Sequence, residues 1–243
     1  MARFSEKVII VTGGGSGIGR AACIRFAQEG GIVMVADRNP DRGSETVQTI
    51  TDTGGKAEFV QVDVADAGQV KACVDHVVRT YGKVDILINN AAVMTFTPIV
   101  DLDPADWDRL QAVNMRSVFL FCKYCLPHMK GGAIVNISSV HAHQTTPNVV
   151  PYAASKGALE AFTRGLSREV APVQARVNAI APGAVDTPML WSNPNVQSGK
   201  EKIEGAIARP EELAAAICFL ASDDAAYVHG TTLAVDGGRL AAL

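Results

Sequence analysis

The chain has 243 residues, of which 48% are hydrophobic and 19% charged, and its formal net charge is −3. That balance describes a globular protein with a sizeable core and excludes a disordered chain. Its scattered basic residues leave no electrostatic footprint for nucleic acid.

The first apolar run, in "MARFSEKVIIVTGG", stops at glycine. It is too short for a signal peptide or a membrane span and reads as a strand, so no membrane partner and a cytoplasmic location are expected. The five cysteines (Cys23, Cys73, Cys122, Cys125, Cys218) are odd in number and mostly lie in helical patterns. Cys122 and Cys125 form a C-x-x-C with no second pair and no histidine cluster, so core packing is expected and a metal site is not.

Strand and helix then alternate with little interruption. "KVIIVT" is followed by a glycine turn and the helix "GIGRAACIRFAQEG". Next come the strand "IVMVAD", a helix ending near "TDTGG", the strand "AEFVQVDV" and a helix closed by Gly82. "VDILINNAA" precedes one long helix, "PADWDRLQAVNMRSVFLFCKYCLPHM". "AIVNISS", a helix holding Tyr152, "ARVNAIAPG", "RPEELAAAICFLAS" and a last strand near "TTLAVDGG" complete the order. Continuous Val/Ile runs suit strands buried on both faces, and the alternation predicts an α/β fold, a parallel sheet with helices on both faces. With no linker or repeat, residues 1–243 are read as one domain, and the turn-rich stretch around 188–208 as a substrate loop.

"TGGGSGIG", Thr12 to Gly19, follows a predicted strand and opens a predicted helix. There, glycine permits a tight turn, close approach of backbone to a pyrophosphate, and close helix–strand packing, while the helix N-terminus faces the phosphates. The spacing is G-x-x-x-G-x-G rather than G-x-G-x-x-G, so placement carries the argument. Asp37 ends the second strand, 18 residues beyond Gly19. A carboxylate there accepts both ribose hydroxyls of an adenosine and repels a 2′-phosphate, favouring NAD over NADP. Arg38 next door competes, because a guanidinium binds such a phosphate.

Tyr152 and Lys156 stand at i and i+4, on one face of a helix. Tyrosine ordinarily titrates near ~10; lowering it by ~3 units needs about 4 kcal/mol in favour of the phenolate. One lysine charge ~4 Å away at an effective dielectric of ~20 supplies about that much. Ser139, closing "AIVNISS", is placed to donate to a substrate carbonyl oxygen. Alternation along the strand sends only one of Ser138 and Ser139 toward the cleft. The amide of Asn114, in the long helix, is placed to hold a water for proton relay.

With these residues in order, the chain resembles the short-chain dehydrogenase/reductases over nearly its whole length. The match rests on T-G-x-x-x-G-I-G, "DV" at Asp63–Val64, "NNAA" at Asn89–Ala92, Asn114, Ser139, Tyr152-x-x-x-Lys156, "PGAVDTPM" from Pro182 and "VDGG" from Val235. The resemblance implies a Rossmann-like doubly wound parallel sheet of about seven strands and a nicotinamide dinucleotide. Tyr152 would be the general acid or base, Lys156 would also hold the nicotinamide ribose, Ser139 would orient the substrate oxygen, and Asn114 would continue the proton path. Gly13, Ser16, Gly17, Ile18 and Gly19 would cradle the pyrophosphate. Asp63 and Val64 would lie near the adenine, and Asn90, Ala91 and Pro182 along the cofactor. Val185 and Thr187 would meet the carboxamide. Such proteins are usually homotetramers, with the helices around Asn114 and Tyr152 paired across subunits. The family commonly has N-N-A-G; Ala92 adds one methyl and removes no chemical group.

The expected activity is therefore NAD(H)-dependent interconversion of a secondary alcohol and its carbonyl. An NADPH-dependent ketone or 3-oxoacyl reductase is one alternative. A non-catalytic dinucleotide sensor is another, against which the complete tetrad argues. An epimerase or dehydratase would add a C-terminal substrate domain, whereas few residues follow Gly238. The segments "VHAHQTTPNVV" and that from Met189 are expected to line the substrate pocket, with His141 and Trp191 as contacts. Polar His143, Gln144 and Asn193 lean toward a sugar or polyol.

Overall fold

The computed structural model describes residues 2–200, 203 and 205–241; positions 201, 202 and 204 of the expected substrate loop lie outside the described residues. The strands are β1 (Val8–Thr12), β2 (Ile32–Asp37), β3 (Lys56–Gln61), β4 (Ile86–Asn89), β5 (Gly132–Ile137), β6 (Ala175–Pro182) and β7 (Thr232–Val235). They form one seven-stranded sheet in the order β3-β2-β1-β4-β5-β6-β7, every pair parallel. Val8 lies opposite Ile32 on one side, and Ile9 opposite Ile86 on the other. The strand order therefore reverses between β1 and β4, and the crevice beyond their carboxyl ends is where an open α/β sheet receives a ligand.

Every residue of β1 is buried, as its unbroken apolar run demands. Ile9 and Val11 face the core under helix α1 (Gly17–Gln28) and the helix Pro210–Ala221. Val8 and Ile10 face the opposite core, under α3 (Ala67–Tyr81) and α5 (Ser117–Cys125). The five cysteines are free and packed in these two cores, as expected. Burial pushes each thiol up, Cys73, Cys122 and Cys218 to about 12, which disfavours the reactive thiolate in all five. Among the described residues no helix is long and apolar enough to cross a membrane.

Helix ends follow local chemistry. Asn39 caps α2 (Pro40–Asp52) by accepting from Arg42 N–H, Asp66 caps α3 by accepting from Gln69 N–H, and Gly82, at φ 75°, closes α3.

Two expectations about element limits change. The single long helix is instead α4 (Pro104–Gln111), a wide π turn (Ala112–Arg116), α5, and a 3-10 turn (Leu126–His128). The ladder slips at the π turn, where Ser117 Oγ donates to Val113 O at 2.5 Å and the Asn114 amide turns inward to bond outside the helix. β3 stops at Gln61 rather than Val64, because the Asp63 N–H donates to Gln69 Oε1 instead of to a strand.

Candidate active site

The site begins at the glycine turn after β1. Gly13 adopts φ +67°, open to glycine at little cost. A Cβ on Gly19 would stand 2.2 Å from Gly13 O and 2.5 Å from Asn90 Nδ2, so only glycine fits. Asn90 Nδ2 donates to Thr12 O at 2.9 Å and to Gly13 O at 3.2 Å. Thr12 Oγ1 accepts from the N–H groups of Asn90 (2.9 Å) and Ala91 (3.1 Å). Thr12 and Asn90 thus bolt the turn to the end of β4, a role for Thr12 that the opening T of the motif could have signalled. At the start of α1 the Ser16 side chain makes no cap, and the first turn holds no acidic residue. The amides and positive dipole end are left for an anion, so the cradle fits a pyrophosphate. Ser16, Gly17 and Ile18 all line the cleft, whose volume is about 1090 Å³.

At one end stands Asp37, with Oδ2 accepting from Gly15 N–H and Oδ1 from Asn39 N–H, both at 2.9 Å. Each oxygen keeps a second lone pair. Arg38 and Arg42 line the same end. Asp63 and Val64 form its far wall. Burial works to raise the Asp63 carboxyl, but the Ala65 N–H and the Arg109 guanidinium, at 2.9 Å, outweigh it and hold it below the usual range.

At the other end α6 (Val150–Glu169) presents Tyr152 and Lys156. Lys156 Nζ lies 5.4 Å from the Tyr152 ring centroid and donates to Ile137 O at 2.7 Å. Ser139 caps the 3-10 turn Val140–Ala142, its Oγ accepting from His141 N–H at 3.2 Å, and its side chain stands near enough to Tyr152 to favour the phenolate. The His141 ring stands edge-on to Tyr152 at 5.7 Å. Pro182, Val185 and Thr187 complete the wall, Thr187 facing Gly17.

The structure corrects three expectations. Burial pushes Tyr152 up to about 12 and outweighs Ser139, which works the other way. Burial also brings Lys156 down to about 7, which leaves it only partly charged near neutrality and weakens it as a tuner. The Asn114 amide is engaged elsewhere: Oδ1 accepts from Val93 N–H at 2.8 Å, and Nδ2 donates to Val93 O at 2.9 Å and Ser155 Oγ at 3.1 Å. It clamps the segment after β4 to α6 rather than offering both groups to a water. Trp191 leaves the pocket. The short helix α7 (Pro188–Trp191) directs Met189 and Leu190 inward, while Trp191 is half-exposed and its Nε1 donates to Asp186 Oδ1 at 2.7 Å. Successive helical residues step around the axis, so neighbours face different ways.

Gln144, Thr145 and Asn193 do line the cleft, as their segments suggested. Met94 and Arg239 line it too, without a motif to announce them.

A glycine cradle at a helix N-terminus, leading along one cleft to a buried Tyr–Lys–Ser cluster, defines a dinucleotide-dependent oxidoreductase. A family model described as enoyl-(acyl carrier protein) reductase matches residues 13–239. The chain is 37% identical over 249 residues to a cyclopentanol dehydrogenase of Comamonas sp. (strain NCIMB 9872), covering 99% of this chain and 100% of that one. It superposes with a TM-score of 0.90 and 34% identity on a 7α-hydroxysteroid dehydrogenase complexed with NADH and 7-oxo glycochenodeoxycholic acid, covering 98% of this chain and 95% of that one. A short-chain dehydrogenase from Burkholderia cenocepacia J2315 in complex with NADP matches with a TM-score of 0.89 and 32% identity, covering 97% and 98%. The chain belongs to the short-chain dehydrogenase/reductase family, and it is an oxidoreductase acting on CH–OH groups and their carbonyl counterparts.

Proposed function

We propose that this enzyme interconverts a small secondary alcohol and its carbonyl compound with NAD(H), Tyr152 passing the proton. The observation that carries the reading is the meeting of Tyr152, Ser139 and Lys156 in the cleft that also receives the glycine turn. The dinucleotide, when bound, supplies the hydride acceptor or donor. Ser139 and Tyr152 hold the substrate oxygen between two hydroxyls. In reduction Tyr152 gives that oxygen its proton, and in oxidation the phenolate takes it. Lys156 stabilises the phenolate to the extent that it is charged and offers N–H groups to the nicotinamide ribose. Asn114, through Val93 and Ser155, keeps α6 in place. Gly13, Ser16, Gly17, Ile18 and Gly19 would hold the pyrophosphate, Asp37 the adenosine ribose, Asp63 and Val64 the adenine, and Val185 and Thr187 the carboxamide.

NAD is favoured because a 2′-phosphate would set its charge beside the Asp37 carboxylate. NADP is the second reading, supported by Arg38 and Arg42 at the same end of the cleft. His141, Gln144, Thr145 and Asn193 favour a substrate with further hydroxyls, such as a sugar or polyol. The reading treats residues 1–243 as one catalytic unit working as a homotetramer, in the reducing cytoplasm that five free thiols suit.

Titration with NADH and NADPH, followed by nicotinamide fluorescence, tests it on wild type and on Asp37→Asn, which keeps an acceptor for Gly15 but drops the charge. Tighter NADH binding whose advantage vanishes in the variant supports NAD. Tighter NADPH binding means the arginines prevail. No turnover of cyclopentanol, cyclohexane-1,2-diol or sorbitol with either cofactor would sink the catalytic reading.

A further inference from the structure

Tyr152, Lys156 and Glu160 stand at i, i+4 and i+8 on α6, one above the other along a single stripe. The first two meet the cleft. Glu160 lies one turn deeper, only 4% exposed, and forms no part of the cleft wall. A carboxylate so placed is tolerated when other groups satisfy its oxygens. Here both oxygens face the segment that follows β5. Ser138 Oγ donates to Glu160 Oε1 at 2.8 Å, and His143 Nε2 lies 3.2 Å from Glu160 Oε2.

These contacts fall at the two ends of one turn. Ser138 immediately precedes Ser139, and the two reach different levels of the same stripe of α6, Ser138 meeting Glu160 and Ser139 meeting Tyr152. His143 closes the turn, its N–H donating to Val140 O at 2.9 Å. Between them lie Ser139, whose side chain acts on the Tyr152 phenol, and His141, whose ring stands edge-on to it. Glu160 therefore grips the turn at its start and its end, from the helix that carries the acid.

We propose that Glu160 is a positioning residue which, through Ser138 and His143, latches the 138–143 turn to α6 and holds Ser139 against Tyr152. The proposal rests on the proton-transfer reading for its effect on turnover, but the latch itself has a readout of its own. A misplaced hydroxyl at a proton-transfer site is felt mainly in kcat, while the glycine cradle and Asp37, on other elements, keep their grip on the cofactor.

The test compares wild type with His143→Ala, Glu160→Gln and Glu160→Ala. Amide hydrogen exchange at residues 141–144 is measured beside kcat, KM for cyclopentanol and NAD⁺, and NADH affinity. His143 is half-exposed, so its variant folds even where Glu160→Ala does not. In His143→Ala, exchange at these amides accelerates, kcat falls by about tenfold or more, and NADH affinity is unchanged. Glu160→Gln, which keeps an acceptor for Ser138, recovers most of the kcat lost in Glu160→Ala. Unchanged exchange overturns the latch. Accelerated exchange with unchanged kcat, or a loss of kcat matched by loss of NADH affinity, overturns the positioning role. A wild type that turns over no secondary alcohol defeats the proton-transfer reading, and exchange still decides the latch.

Discussion

Burial acts on Tyr152 and Lys156 in the same sense, toward the neutral form of each, which moves the phenol up to about 12 and the ammonium down to about 7. The fraction of phenolate then rises with pH throughout the working range. Oxidation of an alcohol, which needs the phenolate, should gain about tenfold in kcat/KM per pH unit on the acid limb. Reduction of the ketone, which needs the phenol, should show no such rise; initial rates in both directions between pH 6 and 9 check this. Lys156 also writes itself into stability. Its folded value of about 7 lies below the 10.5 of an unperturbed lysine, so between those pH values the unfolded chain binds more protons. Stability contributed by this group is therefore lowest below about 7 and rises with pH up to 10.5. Lys156→Met should flatten that slope in urea melts across the window and abolish turnover. A slope unchanged by the substitution would mean that Lys156 is not desolvated.

At the scale of elements, the cradle and the π turn do opposite kinds of work. The cradle is a close approach: a methyl on Gly19 would meet Gly13 O at 2.2 Å. Gly19→Ala should cost about 1–3 kcal/mol of overpacking in a denaturant melt. NADH binding should fall with it, since the phosphate-facing turn is what moves. The π turn instead frees the Asn114 side chain to reach Val93 and Ser155. Asn114→Ala removes the partner of the half-buried Val93 N–H and C=O and of the buried Ser155 hydroxyl, a loss of about 1–3 kcal/mol. Measured stability should drop by that order, and kcat with it. Neither role shows in helical periodicity, because a π turn is an interruption of the very period that predicts a helix.

For the whole molecule, the reversal of strand order between β1 and β4 opens the crevice, and connections on both faces bring residues from far apart in the chain to its rim. The loop from 188 onward is closed at its base, where Asp186 N–H donates to Ala208 O at 2.8 Å and Ala208 N–H to Ala184 O at 3.0 Å. Apolar side chains also remain outside: Phe119 on α5 and Val150 on α6 are 46% and 45% exposed. Their helices are the ones expected to pair across subunits. Phe119→Glu should therefore shift the sedimentation coefficient to smaller species while NADH binding persists. A variant that sediments as wild type would exclude this face from the assembly.

The sequence by itself determined what depends on neighbours along the chain. Unbroken Val/Ile runs became strands buried on both faces, the glycine motif became the turn from β1 into α1 (residues 13–16), and the four-residue step from Tyr152 to Lys156 put both on one side of α6. These follow from the periods of strand and helix and from the steric freedom of glycine. Only the tertiary structure decided what depends on burial and on distant partners. It turned Trp191 to the surface and Met189 inward, spent the Asn114 amide on Val93, and set Glu160 between Ser138 and His143. The physical reason is that desolvation and long-range hydrogen bonding are set by what packs over a side chain. Nothing in the order of the flanking residues states which segment that will be, so the same tyrosine and lysine that a motif can locate acquire their proton affinities only once the core closes around them.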